Sequence, residues 1–222
     1  VEVEQTPYPK ALIITEAGLV GGKGLNENGI ALSLNALSAR NGRIGVPVIV
    51  LLRGALSCPT IPKAIDAVAK AKRAGSGCVG LASSDGLLLF IEYAPIDMDI
   101  LLSDGETICH SNHWLSMKMI LGGEATNYSY NSTFIRLDRA RRLVKQEGKM
   151  TVEGLFRVLS DHAGHPEGVC RHDDETVAVY HRHRSLWSMV VDVTDKKLYL
   201  TEAIRARRKQ ENTLFTLPAS SL

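Results

Sequence analysis

Ala11-Leu12-Ile13-Ile14-Thr15, then the glycine-rich run Glu16-Ala17-Gly18-Leu19-Val20-Gly21-Gly22-Lys23-Gly24-Leu25-Asn26-Glu27-Asn28-Gly29, then Ile30-Ala31-Leu32-Ser33-Leu34-Asn35-Ala36-Leu37 is the stretch that decides the fold. The flanking segments are β-branched and apolar and read as strands. Between them stand five glycines in twelve residues, so the backbone turns tightly or approaches another chain closely. Strand, glycine-rich turn and strand make a hairpin. Phosphate-cradling glycine motifs need a strand-to-helix turn, which is missing here, so a nucleotide site is not expected.

Outward from this hairpin, Val1 and Val3 alternate with Glu2 and Glu4, the pattern of a strand entered part-way along. The expectation is a chain that continues upstream. Downstream, Val48, Leu51, Leu52 and Ala55 share one helical face. Thr60 is a candidate N-cap for a second helix with Pro62 in its first turn, an Ile65/Val68/Ala69 stripe and Gly75 as its end. Lys63, Lys70, Lys72 and Arg73 are assigned to its wet side.

Strands are predicted over 77–82, 86–93, 98–102 and 106–110, with Ser84-Asp85-Gly86 and Ser103-Asp104-Gly105 as turns. Leu87-Leu88-Leu89-Phe90-Ile91 is apolar throughout, which marks a strand covered on both faces. Helices are predicted over 134–146 and 152–162, and strands over 176–180, 186–193 and 197–201. Thr194-Asp195-Lys196 turns the last hairpin. Antiparallel strand runs with helices in blocks make the class α+β, with sheets packed on each other and capped by helices. One domain spans 1–222, and 204–222 is a tail of undefined structure.

Composition excludes several classes. Of 222 residues, 45% are hydrophobic and 23% charged, so a packed core is expected rather than disorder. A formal net charge of +2 exerts no strong pull on nucleic acid or acidic lipid. No apolar run has the ~18 residues of a membrane span. The start carries no export signal and four cysteines are too few for a disulfide scaffold, which favours the cytoplasm.

The chemistry-bearing residues leave alternatives. Cys58, Cys78, Cys109 and Cys170 have no C-x-x-C spacing, and Cys78 reads as core. His110-Ser111-Asn112-His113 and His162-Ala163-Gly164-His165 are both H-x-x-H, and a metal site from His110, His113, His172 and Asp174 is one reading. Asn112 is either an oxyanion donor at a strand end or a turn residue bonded to its own backbone. Tyr180-His181-Arg182-His183-Arg184 either grips a substrate carboxylate or forms an exposed hairpin end. Asn127 and Asn131 begin glycosylation-type triplets.

In chain order, Ile14–Gly21, Gly24–Gly29, Ala31–Leu37, Gly45-Val46-Pro47, His110–His113 and Val169-Cys170-Arg171-His172 together resemble the isopenicillin N acyltransferase family, also called the acyl-coenzyme A:6-aminopenicillanic acid acyltransferase family, of cysteine N-terminal-nucleophile hydrolases. The resemblance implies a four-layer αββα sandwich. It implies self-cleavage before a cysteine, whose thiol attacks an amide or thioester while its own α-amino group serves as base. That cysteine lies upstream of the position matching Val1, and none of the four cysteines here matches it. The chain alone is therefore expected to be a catalytically inactive fragment.

By position, the resemblance makes Asn112 the oxyanion donor and Arg182, or else Arg184, a functional arginine. Glu16, Gly18 and Asn35 become pocket-wall or structural residues without an assigned chemical step, and His110 and His113 orient Asn112. No metal or cofactor is implied, although a coenzyme A thioester is an allowed substrate. The expected partner is a small acyl amide or acyl thioester, with neither nucleic acid nor membrane, and a homo-oligomer is left open. The rival readings are a metal-dependent hydrolase built on the histidines and a non-catalytic binding protein on the same fold.

Overall fold

The structure is a computed structural model that describes residues 1–103, 105, 107–123, 132–202 and 213–217. The Asn127 triplet, Asn131 of the second triplet and most of the 204–222 tail lie outside the described residues. The chain divides into two compact units. The first comprises Val1–Ser129, Val191–Leu198 and Phe215–Leu222, and the second Tyr130–Val190 and Tyr199–Leu214.

A seven-stranded antiparallel sheet dominates the first unit. Its strands are β1 (Glu2–Gln5), β2 (Tyr8–Ile14), β3 (Lys23–Asn26), β4 (Ile30–Asn35), β5 (Gly77–Ser83), β6 (Leu88–Tyr93) and β7 (Met98–Leu102), and they lie side by side in chain order. The predicted hairpin is thus a meander, because the glycine-rich run contains a strand of its own. Propensity disfavours glycine in strands, but the geometry demands it here. A Cβ on Gly24 would stand 1.8 Å from the carbonyl oxygen of Leu12 on the paired strand. Gly18 takes the turn before it, with a positive φ of 86°.

Asn26 closes the next turn. It is fully buried, and its Nδ2 donates to the carbonyls of Leu56 and Cys58, both at 2.9 Å. Its Oδ1 accepts from the backbone N–H of Asn28 and of Ile30, both at 3.1 Å. All four hydrogen-bonding capacities of the amide are used. One side chain therefore joins the β3–β4 turn to the connection between two helices.

Those helices are α1 (Val48–Leu56) and α2 (Ile61–Lys70). Leu51, Leu52, Ala55 and Leu56 of α1 and Ile61, Ala64 and Val68 of α2 are buried against Val79, Leu81, Leu89, Ile91 and Tyr93 of the sheet. Thr60 occupies the N-cap of α2 without a side-chain capping bond. The helix ends at Lys70, well before Gly75. Arg73 is not on a wet side. It is buried, and its guanidinium donates to the carbonyls of Val68 and Ala69, which the end of α2 leaves unpaired, and to that of Ala94.

The other sheet face carries Cys78 and Phe90, which pack with Leu37, Ala94, Trp114 and Met119 of the short helix α3 (Met117–Leu121). Strand β6 is covered on both faces, as its unbroken apolar run requires. No strand forms over 107–110, and Glu106 lies outside the described residues.

The second unit contains α4 (Ser132–Glu147) and α5 (Val152–Leu159). Thr151 caps α5 by accepting from the N–H of Gly154 at 3.1 Å. Leu137, Phe156 and Val158 are buried. The predicted strand over 176–180 does not form. Asp174 Oδ1 accepts from the N–H and hydroxyl of Thr176, and this turn leads into a single 3-10 turn at Val179–His181. Strands β8 (Trp187–Asp192), β9 (Lys197–Glu202) and β10 (Thr213–Thr216) form a second sheet in the order β10-β9-β8. The tail thus supplies a strand that its composition did not announce.

Candidate active site

The register of four strands aligns Asn35, Cys78, Glu92 and Asp99 across β4, β5, β6 and β7. Residues directly opposed on neighbouring antiparallel strands project to the same side. A polar row therefore crosses the face opposite α1 and α2, in line with Phe90 two residues along. Glu92 is fully buried, and the segment 110–116 folds over it.

Glu92 is surrounded by donors. Its Oε1 lies 2.7 Å from His110 Nε2 and accepts from the backbone N–H of Leu115 at 2.7 Å. Its Oε2 accepts from the N–H of Ser116 at 2.9 Å. The Ser116 hydroxyl donates to Asp99, the next member of the row, and accepts from the N–H of Met119 to cap α3. His110 Nδ1 lies 2.6 Å from the carbonyl oxygen of Ser111. Both ring nitrogens thus face oxygen atoms, and the ring sits 5.2 Å, centroid to centroid, from Phe90.

Asn112 is held by the segment that follows β4. Its Nδ2 donates to the carbonyl of Ala36 at 3.2 Å, and Trp114 Nε1 donates to that of Ser38 at 2.8 Å. Residues 112 and 114 are thereby stitched to residues 36 and 38. The amide of Asn112 carries two N–H groups, and the Ala36 bond sets its orientation beside the end of β4, where Asn35 stands. An amide donor fixed in this way is suited to meeting developing negative charge on an oxygen.

The sequence-derived candidates divide accordingly. Asn35, His110 and Asn112 come together in the first unit, and His113 is buried on the same segment. Glu16 and Gly18 lie in the exposed turn after β2, where the Glu16 carbonyl accepts from Leu19 N–H. Arg182 and Arg184 belong to the second unit. Arg182 donates to the carbonyls of Val177 and Glu175, and Arg184 pairs with Asp173 at 3.2 Å.

The metal set His110, His113, His172 and Asp174 is not assembled. His110 is committed to Glu92 and Ser111, and His172 is grouped with His162 and Cys170 instead. Glu92 was missed in the sequence, although a carboxylate ending a run covered on both faces was its signal.

Three of the four thiols are quiet. Burial raises the Cys78 thiol far above its ordinary range, and the neighbouring Glu92 adds to the shift. Burial also raises Cys58 and Cys170. A catalytic cysteine needs the opposite shift.

Solved structures share this architecture. Penicillin V acylase from Agrobacterium tumefaciens superposes with a TM-score of 0.66 at 14% identity, over 94% of this chain and 70% of that one. A point mutant of conjugated bile acid hydrolase from Clostridium perfringens gives 0.59 at 10% identity, over 94% and 77%. A second single-residue variant of that hydrolase gives 0.57 at 10%, over 94% and 76%. At such identities the likeness is one of fold, and it defines an α+β protein of the N-terminal-nucleophile hydrolase type.

The model of the acyl-coenzyme A:6-aminopenicillanic acid acyl-transferase family matches residues 11–207, and the chain belongs to that family. The family groups acyltransferases and amidohydrolases that act on small-molecule acyl substrates. Among the described residues no helix is long and apolar enough to cross a membrane.

Proposed function

We propose that this chain carries out hydrolysis of, or acyl transfer from, an amide or thioester through a cysteine acyl-enzyme, with the attacking thiol supplied by a residue upstream of Val1. The observation that carries the reading is the family match over residues 11–207. The raised thiols of Cys58, Cys78 and Cys170 support a nucleophile from elsewhere.

In the reaction the thiol adds to the acyl carbon and its proton passes to the α-amino group of the same residue. The carbonyl oxygen takes up the negative charge, and Asn112 Nδ2 donates to it. Collapse expels the amine or thiol, which takes the proton back from the α-ammonium group, and leaves a thioester on the enzyme. Water or an acceptor amine then takes the acyl group. The Ala36 bond to Asn112 and the Glu92–His110 pair beneath the same segment favour a preorganised donor. Asn35 contributes to the pocket wall, as do Glu16 and Gly18. A cytoplasmic setting suits free thiol chemistry.

The test is expression of the full natural reading frame, followed by intact mass, N-terminal sequencing and assay on penicillin V, conjugated bile acids and acyl-coenzyme A with 6-aminopenicillanic acid. A mature chain beginning with cysteine that releases acyl product supports the proposal, and the 222-residue chain alone should turn over none of these substrates. An unprocessed product with no acyl release would overturn it in favour of a binding protein on the same fold.

A further inference from the structure

We propose that His162, Cys170 and His172, in the second unit, form a binding site for a divalent transition metal of the zinc class. Their ligand atoms, one ring nitrogen from each histidine and the Cys170 sulfur, all lie within 4.8 Å of one another. Tetrahedral zinc with bonds of about 2.0–2.3 Å holds its ligand atoms roughly 3.5 Å apart. Closing the triangle therefore takes rotamer adjustments of about an ångström.

The backbone brings the three residues together. Beyond α5, the N–H of His165 donates to His162 O at 3.0 Å, and that of Glu167 to Gly164 O at 2.9 Å. The chain then doubles back. The N–H of Cys170 reaches Asp161 O at 2.9 Å, and that of His172 reaches Pro166 O at 2.8 Å. An isolated antiparallel bridge between Glu167 and Arg171 holds the return, and Arg171 pairs with Glu167 at 2.6 Å.

Both ends of this loop are anchored. Asp161 receives both prongs of the Arg139 guanidinium from α4, at 2.9 and 2.7 Å. Arg171 exchanges two 3.0 Å bonds with Ser185, its N–H donating to the Ser185 hydroxyl and its carbonyl accepting from the Ser185 N–H. A site held this firmly loses little freedom when a metal enters.

The donor set selects the metal. Two imidazoles and a thiolate suit zinc and its borderline-soft neighbours, whereas magnesium and calcium require oxygen. Cys170 is buried while His162 is exposed, so the fourth position opens toward solvent. On binding, the Cys170 thiol gives its proton to solvent and its sulfur bonds the metal, so this ligand releases one proton per ion.

Cobalt(II) is the probe, titrated into the chelator-treated whole chain. The expected result is one saturable equivalent with a thiolate-to-cobalt charge-transfer band in the near ultraviolet, abolished by stoichiometric zinc. C170S should remove the band, H172A should weaken binding at least tenfold, and C109S should leave both unchanged. Should C170S fail to fold, zinc protection of Cys170 from alkylation in the unmutated chain, read by peptide mass, decides the matter. No saturable binding, a band that survives in folded C170S, or alkylation of Cys170 unaffected by zinc would each overturn the site.

Discussion

His110 Nε2 lies 2.7 Å from Glu92 Oε1, and neither side chain has any solvent-exposed surface. The same carboxylate takes the N–H groups of Leu115 and Ser116. It is the point on which the segment carrying Asn112 rests. Replacing Glu92 with alanine strands three buried donors at once and should cost about 3–5 kcal/mol. Glu92→Gln, which keeps the shape but loses an acceptor oxygen, should cost less. Urea unfolding midpoints of the two variants check the order, and equal midpoints would contradict it.

Asn112 is expected to act on rate rather than on stability. In the processed enzyme N112A should lower kcat by about 10²–10³, the usual loss for one oxyanion donor, with KM little changed. The Ala36 bond is solvent-exposed, so its loss should cost no more than about 1 kcal/mol. A variant with unchanged kcat would remove Asn112 from the mechanism.

Asn26 shows the reverse behaviour. N26A leaves two carbonyls and two amide N–H groups without their partner in a buried turn. A loss of about 3 kcal/mol or more is expected. Thermal unfolding measures it, and a shift of only a degree or two would mean that water replaces the amide.

Cys78 should be invisible to thiol reagents in the native protein, because burial and Glu92 both oppose its thiolate. A disulfide reagent at about pH 8 should yield the same native thiol count for the parent and for C78A, and one thiol more for the parent after denaturation. A native count one lower in C78A would show that Cys78 is reachable.

Asp97 supplies a pH dependence. Its hydrogen bond from Lys118 holds its carboxyl below the usual carboxylate value, against the opposing effect of burial. The folded pKa lies below the unfolded one of ~3.9, so the pair stabilises at neutral pH and is lost as pH falls through the folded pKa. The pair is half exposed, so its worth is under about 1 kcal/mol. K118M should therefore lower the midpoint more at neutral pH than at about pH 2, where only the Lys118 bond to the Met98 carbonyl is left to lose. An equal deficit at both values would assign the effect to packing.

Much of the fold was legible residue by residue. The unbroken run before Glu92 and the Leu51/Leu52/Ala55 face each record burial within a few residues, so periodicity reveals them, whereas the N-cap expected at Thr60 makes no side-chain capping bond. The ordered motifs from Ile14 to His172 carried the family. The misreadings arose where a local preference met a distant constraint. Gly24 reads as a turn, yet it is the residue that lets β3 approach Leu12. Arg73 reads as a wet helix face, yet it satisfies the carbonyls that end α2. Asp174 bonds its own turn and cancels the strand that the apolar residues after it suggested.

The sequence alone determined which segments are buried, which residue types are present for acyl chemistry, and to which family they belong. Partnerships came from the way the chain folds back on itself. Glu92 finds His110 eighteen residues on, and Asn112 finds Ala36 seventy-six residues back. His162 finds Cys170 and His172 because the chain doubles back between them. Burial leaves its mark on each residue's own identity. A partnership depends on strand register and loop closure, which belong to no single residue.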